Sequence, residues 1–411
     1  MSARPPPLAG QPDAKHVALL MASFNGRGVQ RMFLNLGTEL VRRGYRVTLL
    51  VCRAQGLLQR ESLGGMRLVP LSPGVPSTWR LARALTPLLR FCIGSSGTPY
   101  VSRIGALLRY VDAERPSVIV SGGTRCNLLN SIARQVSPVG YRAVLTEHNP
   151  ISGKLRRMSR QWKLRSVKGL YPYADAIAAV SAGVAGELTR YLGRGAPLPV
   201  LPNPVVTEAF LQSRCEAPHP WLGDGGSPVL LAVGALEPRK NFMLLLRALA
   251  RVQQRRPVRL IILGEGPQRA ALAASARELG VDGVVAMPGF TPRVPDYLSH
   301  AAALVLSSTY EGFGCVIVEA LACGCPVVST DCPYGPREIL ADGRYGRLVA
   351  PGDDLGLAVA LEQTLDEQSD GQLLAERARH YSVANAADAY LALMFPAQAA
   401  AGSSTRSKIS S

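Results

Sequence analysis

Short apolar runs separated by stretches of helical period recur along this chain in two successive series, and this alternation constrains its fold more than any other feature. In the first series His16 to Phe24 (HVALLMASF), Arg46 to Cys52 (RVTLLVC), Ser117 to Ser121 (SVIVS), Arg142 to Glu147 (RAVLTE) and Ala176 to Val180 (AIAAV) read as buried strands. A glycine-containing turn, Asn25 to Gly28, follows the first run and leads into a helical pattern from about Val29 to Arg43. Apolar runs of this length joined by amphipathic helices imply βαβ units, and therefore a parallel sheet covered on both faces. The series pauses at Cys215 to Pro228 (CEAPHPWLGDGGSP), where Pro and Gly mark a linker. It resumes with Val229 to Leu236 (VLLAVGAL), Arg259 to Leu263, Val284 to Met287, Ala303 to Leu306 and Pro326 to Ser329, then turns mostly helical from Asp353 to about Leu393.

The expected architecture is α/β, with two doubly wound Rossmann-like domains facing across a cleft. The first covers 15–214, a linker covers 215–228, the second covers 229–380, and a C-terminal helix at 381–396 returns to the first domain. Residues 1–14 and 397–411 are small, polar or Pro-rich and read as disordered tails. A chain of 411 residues is long enough for two cores. Ligands of such sheets sit outside the carboxyl ends of the strands, so the residues that follow each strand are the ones to weigh.

Charge separates the two halves. The first 226 residues hold 29 Lys/Arg against 11 Asp/Glu, whereas the remainder holds 17 against 18. All of the net charge of +17 therefore belongs to the first half. This favours an anionic partner there, unless the cations are simply solvated faces. No apolar core region follows the Pro-rich N-terminus as a signal peptide would need, and no apolar run reaches a membrane-spanning length. Of the eight cysteines, Cys323, Cys325 and Cys332 lie close together, but their uneven spacing matches no common zinc site, so free thiols are expected.

Three segments that follow strands of the second half carry chemistry. Glu237-Pro238-Arg239-Lys240-Asn241 places two adjacent cations at a strand end, which suits a diphosphate as well as it suits a solvated loop. Gly264-Glu265-Gly266-Pro267 lets backbone approach a ligand, or simply makes a tight turn into a helix. Tyr310-Glu311-Gly312-Phe313-Gly314-Cys315-Val316-Ile317-Val318-Glu319-Ala320 is a glycine-rich entry to a helix, whose free amides suit a phosphate. Glu311 precedes that helix and Glu319 lies about two turns into it, among Val316, Ile317, Val318, Ala320 and Leu321. A carboxylate in such company needs a partner, either a ligand's hydroxyls or an internal cation.

Glu311 and Glu319, separated by seven residues, resemble the E-x7-E motif of retaining GT-B glycosyltransferases, and the match is best to family 4. The surrounding segments GALEPRKN, ILGEGP, STYEGFGCVIVEALACGCPVVSTD, GPREIL, NGRGVQRMFLNL, TEHN and LPNPV carry the same resemblance, which runs from about Val17 to Leu393. It implies a metal-independent, cofactor-free hexosyltransferase that moves a sugar from a UDP- or GDP-linked donor to a glycan or lipid-linked acceptor, as in surface polysaccharide, lipopolysaccharide or glycolipid assembly. Arg239 and Lys240 then correspond to the pair on the donor diphosphate, Glu319 to the carboxylate on the ribose and Glu311 to the one on the transferred sugar. Phe313, Gly314, Cys315 and Val316 correspond to the segment near sugar and phosphate. Gly266 lies in the second glycine turn, Gly289 and Phe290 in the base-binding turn. Gly26 and Gly28 correspond to the first glycine loop, here interrupted by Arg27. His148 corresponds to the histidine at the donor–acceptor junction, a reading the context favours over a lone His that caps the turn at Pro150. Asn203-Pro204 corresponds to the segment that ends the first domain. Retention implies attack on the face the diphosphate leaves. No Asp-x-Asp follows a strand, so no divalent metal is expected.

Between 151 and 174 stand seven cations (Lys154, Arg156, Arg157, Arg160, Lys163, Arg165, Lys168) and no acid, interleaved with Leu155, Met158, Trp162, Leu164 and Leu170. Such a segment suits an anionic membrane surface, and hence a peripheral position on the inner face of the plasma membrane, or else a solvated helix. Two other classes share parts of this pattern. Sugar-nucleotide epimerases use the same architecture but lack the RKN and EGFG context. A basic nucleic-acid-binding module would fit the charge, but no helix-turn-helix, zinc finger or RNA-binding signature accompanies it, and no nucleic-acid partner is expected.

Overall fold

The computed structural model describes residues 13–24, 28–54, 63–72, 103–151, 157–208, 210 and 216–396, with backbone only at 13, 14, 157–160 and 162. The chain divides into two compact units, one made of Met1–Val180, Val184–Pro204 and Val383–Ser411, the other of Ser181–Gly183 and Val205–Ser382. Residues 216–228 of the expected linker thus belong to the second unit, and the division falls after Pro204.

The first unit holds a six-stranded sheet of β1 (Asp13–Ser23), β2 (Arg46–Arg53), β3 (Arg67–Pro70), β4 (Pro116–Gly122), β5 (Arg142–Glu147) and β6 (Ala176–Ala179) in the order β3-β2-β1-β4-β5-β6. All pairings are parallel. The six inner residues of β2 are all buried, as expected of a strand covered on both faces. One face carries Val17, Leu19, Met21, Leu49 and Val120 beneath helix α1 (Gly28–Arg42). The other carries Ala18, Leu20, Leu50 and Ile119 beneath α2 (Ile104–Glu114) and α3 (Thr124–Val136). Helix α4 (Arg157–Leu170) and helix α5 (Ala182–Leu192) flank β6 in sequence.

The second unit repeats the plan with β7 (Val229–Val233), β8 (Arg259–Leu263), β9 (Val285–Gly289), β10 (Ala303–Leu306), β11 (Val327–Thr330) and β12 (Arg347–Val349), ordered β12-β11-β10-β7-β8-β9 and again parallel. Helices α6 (Phe242–Gln253), α7 (Arg269–Glu278), α8 (Val294–Leu298), α9 (Cys315–Ala322), α10 (Pro336–Ile339), α11 (Asp354–Asp366) and α12 (Gly371–Arg379) connect and follow these strands. In each sheet the order reverses between two central strands, β1 and β4 in the first and β7 and β10 in the second. At such a switch point two loops diverge and leave a crevice at the carboxyl ends.

The last helix, α13 (Val383–Met394), leaves the second unit and packs in the first. Tyr390 is fully buried against α1, and its hydroxyl donates to Met32 Sδ at 3.7 Å. Arg43 holds both Glu39 and Asp388, and Arg142 Nε donates to the Leu393 carbonyl at 3.2 Å.

Some boundaries differ from the sequence reading. Asp13 and Ala14 belong to β1 rather than to a tail, and α13 starts at Val383 and ends at Met394 rather than spanning 381–396. Strands β3 and β12 were not anticipated. Both lie at sheet edges, where burial is partial and a run of three or four residues carries little apolar signal.

Candidate active site

The site in the second unit is built by two loops at its switch point. After β7 the chain forms a 3-10 turn, Pro238–Lys240, and exits through Asn241 in a left-handed conformation (φ 48°) into α6. The loop after β10 ties this turn down. Thr309 N–H donates to the Arg239 carbonyl at 2.9 Å and the Ser307 hydroxyl donates to the Lys240 carbonyl at 2.8 Å. Backbone bonds also hold Glu311, whose N–H donates to the Pro333 carbonyl and whose carbonyl accepts from Tyr334 N–H, both at 2.7 Å.

The tethered loops bring three charges together. Arg239 Nη1 lies 2.6 Å from Glu311 Oε2, and Lys240 Nζ lies 2.7 Å from Glu311 Oε1. The Ser308 hydroxyl also donates to Oε1 at 2.7 Å. Glu311 is buried, and burial alone would raise its pKa, but Lys240, Arg239 and Ser308 together hold it at about 2. The cluster carries one net positive charge. The Arg239 side chain is a quarter exposed, with its guanidinium 5.7 Å from the centre of the Tyr310 ring. Its Nε and Nη2 have no hydrogen-bond partner among the described residues. A guanidinium with spare donors, beside a lysine with spare protons, is suited to an anionic oxygen.

Gly266 has a backbone reason to be glycine. A Cβ there would come within 2.6 Å of the Leu236 carbonyl oxygen, because the loops after β7 and β8 run against each other. Leu236 N–H donates to the Glu265 carbonyl at 3.0 Å across the same contact. Gly314 caps α9 with φ 101°, and no side chain caps that helix. Cys315 and Val316 form its first turn, half-buried and buried respectively. Phe313 is buried edge-on against Tyr381, with centroids 5.3 Å apart. Glu319 is half-buried on α9, and with burial its carboxylate helps raise the Cys323 thiol to about 11. Phe290 follows β9 and is 40% exposed.

In the first unit His148 follows β5 and is buried, and burial pushes its pKa down to about 3. Its ring lies edge-on to Phe33 of α1, at 6.3 Å. Gly28 is the exposed first residue of α1, whereas Gly26 lies outside the described residues. Of the basic segment, Lys154, Leu155 and Arg156 also lie outside them, and nothing is described of the Arg157, Met158, Arg160 and Trp162 side chains. Arg165 and Lys168 are exposed, Val167 is fully buried, and Leu170 packs against the core. Among the described residues no helix is long and apolar enough to cross a membrane, and no cluster of three or more His, Cys, Asp or Glu could hold a metal ion.

The structure therefore brings Arg239, Lys240 and Glu311 together and sets Glu319 on the following helix. Sequence reasoning missed Ser308, Thr309 and Ser307, the hydroxyl and amide groups that lace the loops. Ser308 and Thr309 open the STYEGFG segment that carries the family resemblance, but no sequence pattern assigned them a role.

Two six-stranded parallel sheets of this order, with paired cations on a buried carboxylate at a switch point, define a protein of the GT-B fold. Residues 216–381 match the family described as Glycosyl transferases group 1, and residues 26–209 match Glycosyltransferase Family 4. The chain belongs to these glycosyltransferases. It is 36% identical over 199 residues to the N-acetylgalactosamine-N,N'-diacetylbacillosaminyl-diphospho-undecaprenol 4-alpha-N-acetylgalactosaminyltransferase of Campylobacter jejuni, covering 48% of this chain and 53% of the relative. To the lipopolysaccharide core biosynthesis glycosyltransferase LpsE of Rhizobium meliloti it is 37% identical over 173 residues, 41% and 50% of the two chains. The chain thus spans about half the length of these curated relatives. The crystal structure of Anabaena HepE in complex with UDP-glucose superposes with a TM-score of 0.72 over 91% of this chain and 97% of that one, at 18% identity.

Proposed function

We propose that the chain is a retaining glycosyltransferase that moves a sugar from a UDP- or GDP-linked donor to a glycan or lipid-linked acceptor in surface polysaccharide or glycolipid assembly. The observation that carries this reading is the Arg239–Glu311–Lys240 cluster, a preformed positive site at the carboxyl ends of a doubly wound sheet. Negative charge grows on the diphosphate as the glycosidic bond breaks. Cations already held by protein bonds stabilise that charge without reorganising. Glu311 orients both cations and, by the family resemblance, faces the sugar's hydroxyls. Glu319 is assigned to the ribose on the same ground, and the turn at Gly289 and Phe290 to the base.

The named relatives support a lipid-linked or lipopolysaccharide acceptor. The Campylobacter enzyme acts on a diphospho-undecaprenol-linked sugar and LpsE serves lipopolysaccharide core biosynthesis. HepE was crystallised with UDP-glucose, which supports a UDP-linked donor. The basic segment at 151–174 would then hold the enzyme at the anionic inner face of the plasma membrane.

A panel of UDP- and GDP-sugars, read by thermal stabilisation and slow donor hydrolysis, tests the reading. One donor is expected to raise the melting temperature and to be hydrolysed. Glu311→Ala is expected to lower turnover on the order of 100-fold, because it frees both cations from their set positions. Full activity of Glu311→Ala, or release of a free epimerised nucleotide sugar without acceptor, would overturn it.

A further inference from the structure

The chain of hydrogen bonds behind His148 determines where its ring proton sits. Thr146 is on β5 with its side chain buried, and its Oγ1 lies 2.8 Å from the Ser121 carbonyl oxygen on β4. Two oxygens at that distance in a buried site require a proton between them, and a carbonyl carries none. The Thr146 hydroxyl proton therefore belongs to the Ser121 bond. The same Oγ1 lies 2.9 Å from His148 Nε2. Having donated its only proton, Oγ1 can act there only as an acceptor, so Nε2 carries a proton.

The neighbouring acid does not disturb this. Glu147 Oε1 accepts from the His148 backbone N–H at 3.3 Å, while Oε2 accepts from the Tyr171 hydroxyl at 2.7 Å and the Thr124 hydroxyl at 3.1 Å. The ring's other nitrogen, Nδ1, has no hydrogen-bond partner among the described residues. Phe33 walls the ring edge-on, and Gly122 makes room for Phe33, since a Cβ at 122 would lie 3.0 Å from that ring. The burial that pushes His148 to about 3 leaves the ring singly protonated at neutral pH.

We propose that Thr146 is a positioning residue for His148, holding it as the neutral Nε2–H tautomer with an unprotonated Nδ1 that accepts a hydrogen bond from the bound nucleotide sugar. The second half rests on the glycosyltransferase reading; the first does not. Free imidazole distributes its proton over both nitrogens, so a preset tautomer removes that uncertainty before any ligand binds.

Nitrogen-15 NMR of the full-length chain with labelled histidine tests both halves. Five histidines give five signal sets, and His148→Gln identifies the relevant one by its loss. At pH 7 the wild type is expected to show a protonated Nε2 and a bare Nδ1. Thr146→Val, which removes the acceptor, is expected to give a tautomer mixture, and Thr146→Ser to restore the single form. A wild-type proton on Nδ1 overturns the positioning whatever the variants do, and so does a Thr146→Val spectrum identical to wild type. The donor that most raises the wild-type melting temperature in the panel above is then added. A move of the Nδ1 resonance is expected, and a bound donor that leaves it unmoved overturns the second half. If no nucleotide sugar binds, the glycosyltransferase reading and the ligand half fall together, while the tautomer result decides the positioning by itself.

Discussion

Lys240 Nζ stands 2.7 Å from Glu311 Oε1, with only about a tenth of either side chain exposed. Removing Glu311 leaves this buried cation without its carboxylate, whereas removing Lys240 leaves Glu311 with Arg239 and Ser308 as partners. Lys240→Met is therefore expected to lower unfolding stability by about 1.5–3 kcal/mol, the range for a lost hydrogen bond to a charged group. The double variant with Glu311→Gln should lose less than the two single variants together. Urea midpoints of the four proteins check this.

Acid should weaken the fold in two steps of the same sign. His148 is held neutral at about 3 by burial, below the ordinary imidazole value of 6.5, so its contribution is complete above 6.5 and drains as pH falls from there toward 3. Glu311 is held at about 2, below the ordinary 4.5, despite burial, by Lys240 and Arg239, so its contribution is complete above 4.5 and drains toward 2. Urea midpoints at pH 7.5, 5.5 and 4.0 should fall throughout in the wild type. His148→Gln should flatten the interval between 7.5 and 5.5.

Gly266→Ala would press a methyl group onto the Leu236 backbone, which has no flexible end to move aside. A loss of about 1–3 kcal/mol is expected. The measurement is thermal unfolding, with Gly186→Ala, where a Cβ meets open space, as the comparison.

The return of α13 to the first unit is a packing effect. Tyr390→Ala should cost about 3–5 kcal/mol by emptying a fully buried site. Asp388→Asn, at an exposed ion pair, should stay within about 0.5 kcal/mol. Chemical denaturation distinguishes these magnitudes.

The basic segment at 151–174 should bring the protein down with vesicles rich in anionic lipid at low salt and release it as ionic strength rises. Sedimentation with neutral vesicles as the control checks it. Binding that ignores both lipid charge and salt would remove the membrane from the proposal.

The alternation of apolar runs was enough to read ten of the twelve strands: the eight central ones, which are covered on both faces, and the edges β6 and β9. The two it left out, β3 and β12, are short edges with partial burial. Arg239, Lys240, Glu311 and Glu319 were legible from their places after strands and from the family resemblance. Ser308 and Thr146 were not, because a hydroxyl beside a strand looks the same in sequence whether it meets solvent or a buried carboxylate. The resemblance sets Phe313 near the sugar and phosphate, and its ring contact with Tyr381, 68 positions along the chain, had no signal in the sequence.

Residue order by itself determined two parallel α/β sheets and the points along the chain where charge follows a strand, because strand burial and helix period are local properties. Only the tertiary structure decided that Arg239 and Lys240 grip the two oxygens of one carboxylate, 72 and 71 positions away respectively, and that Thr146 answers to Ser121. Those outcomes depend on strand order. It places β7 beside β10 and β4 beside β5, and these contacts form only after those strands have paired.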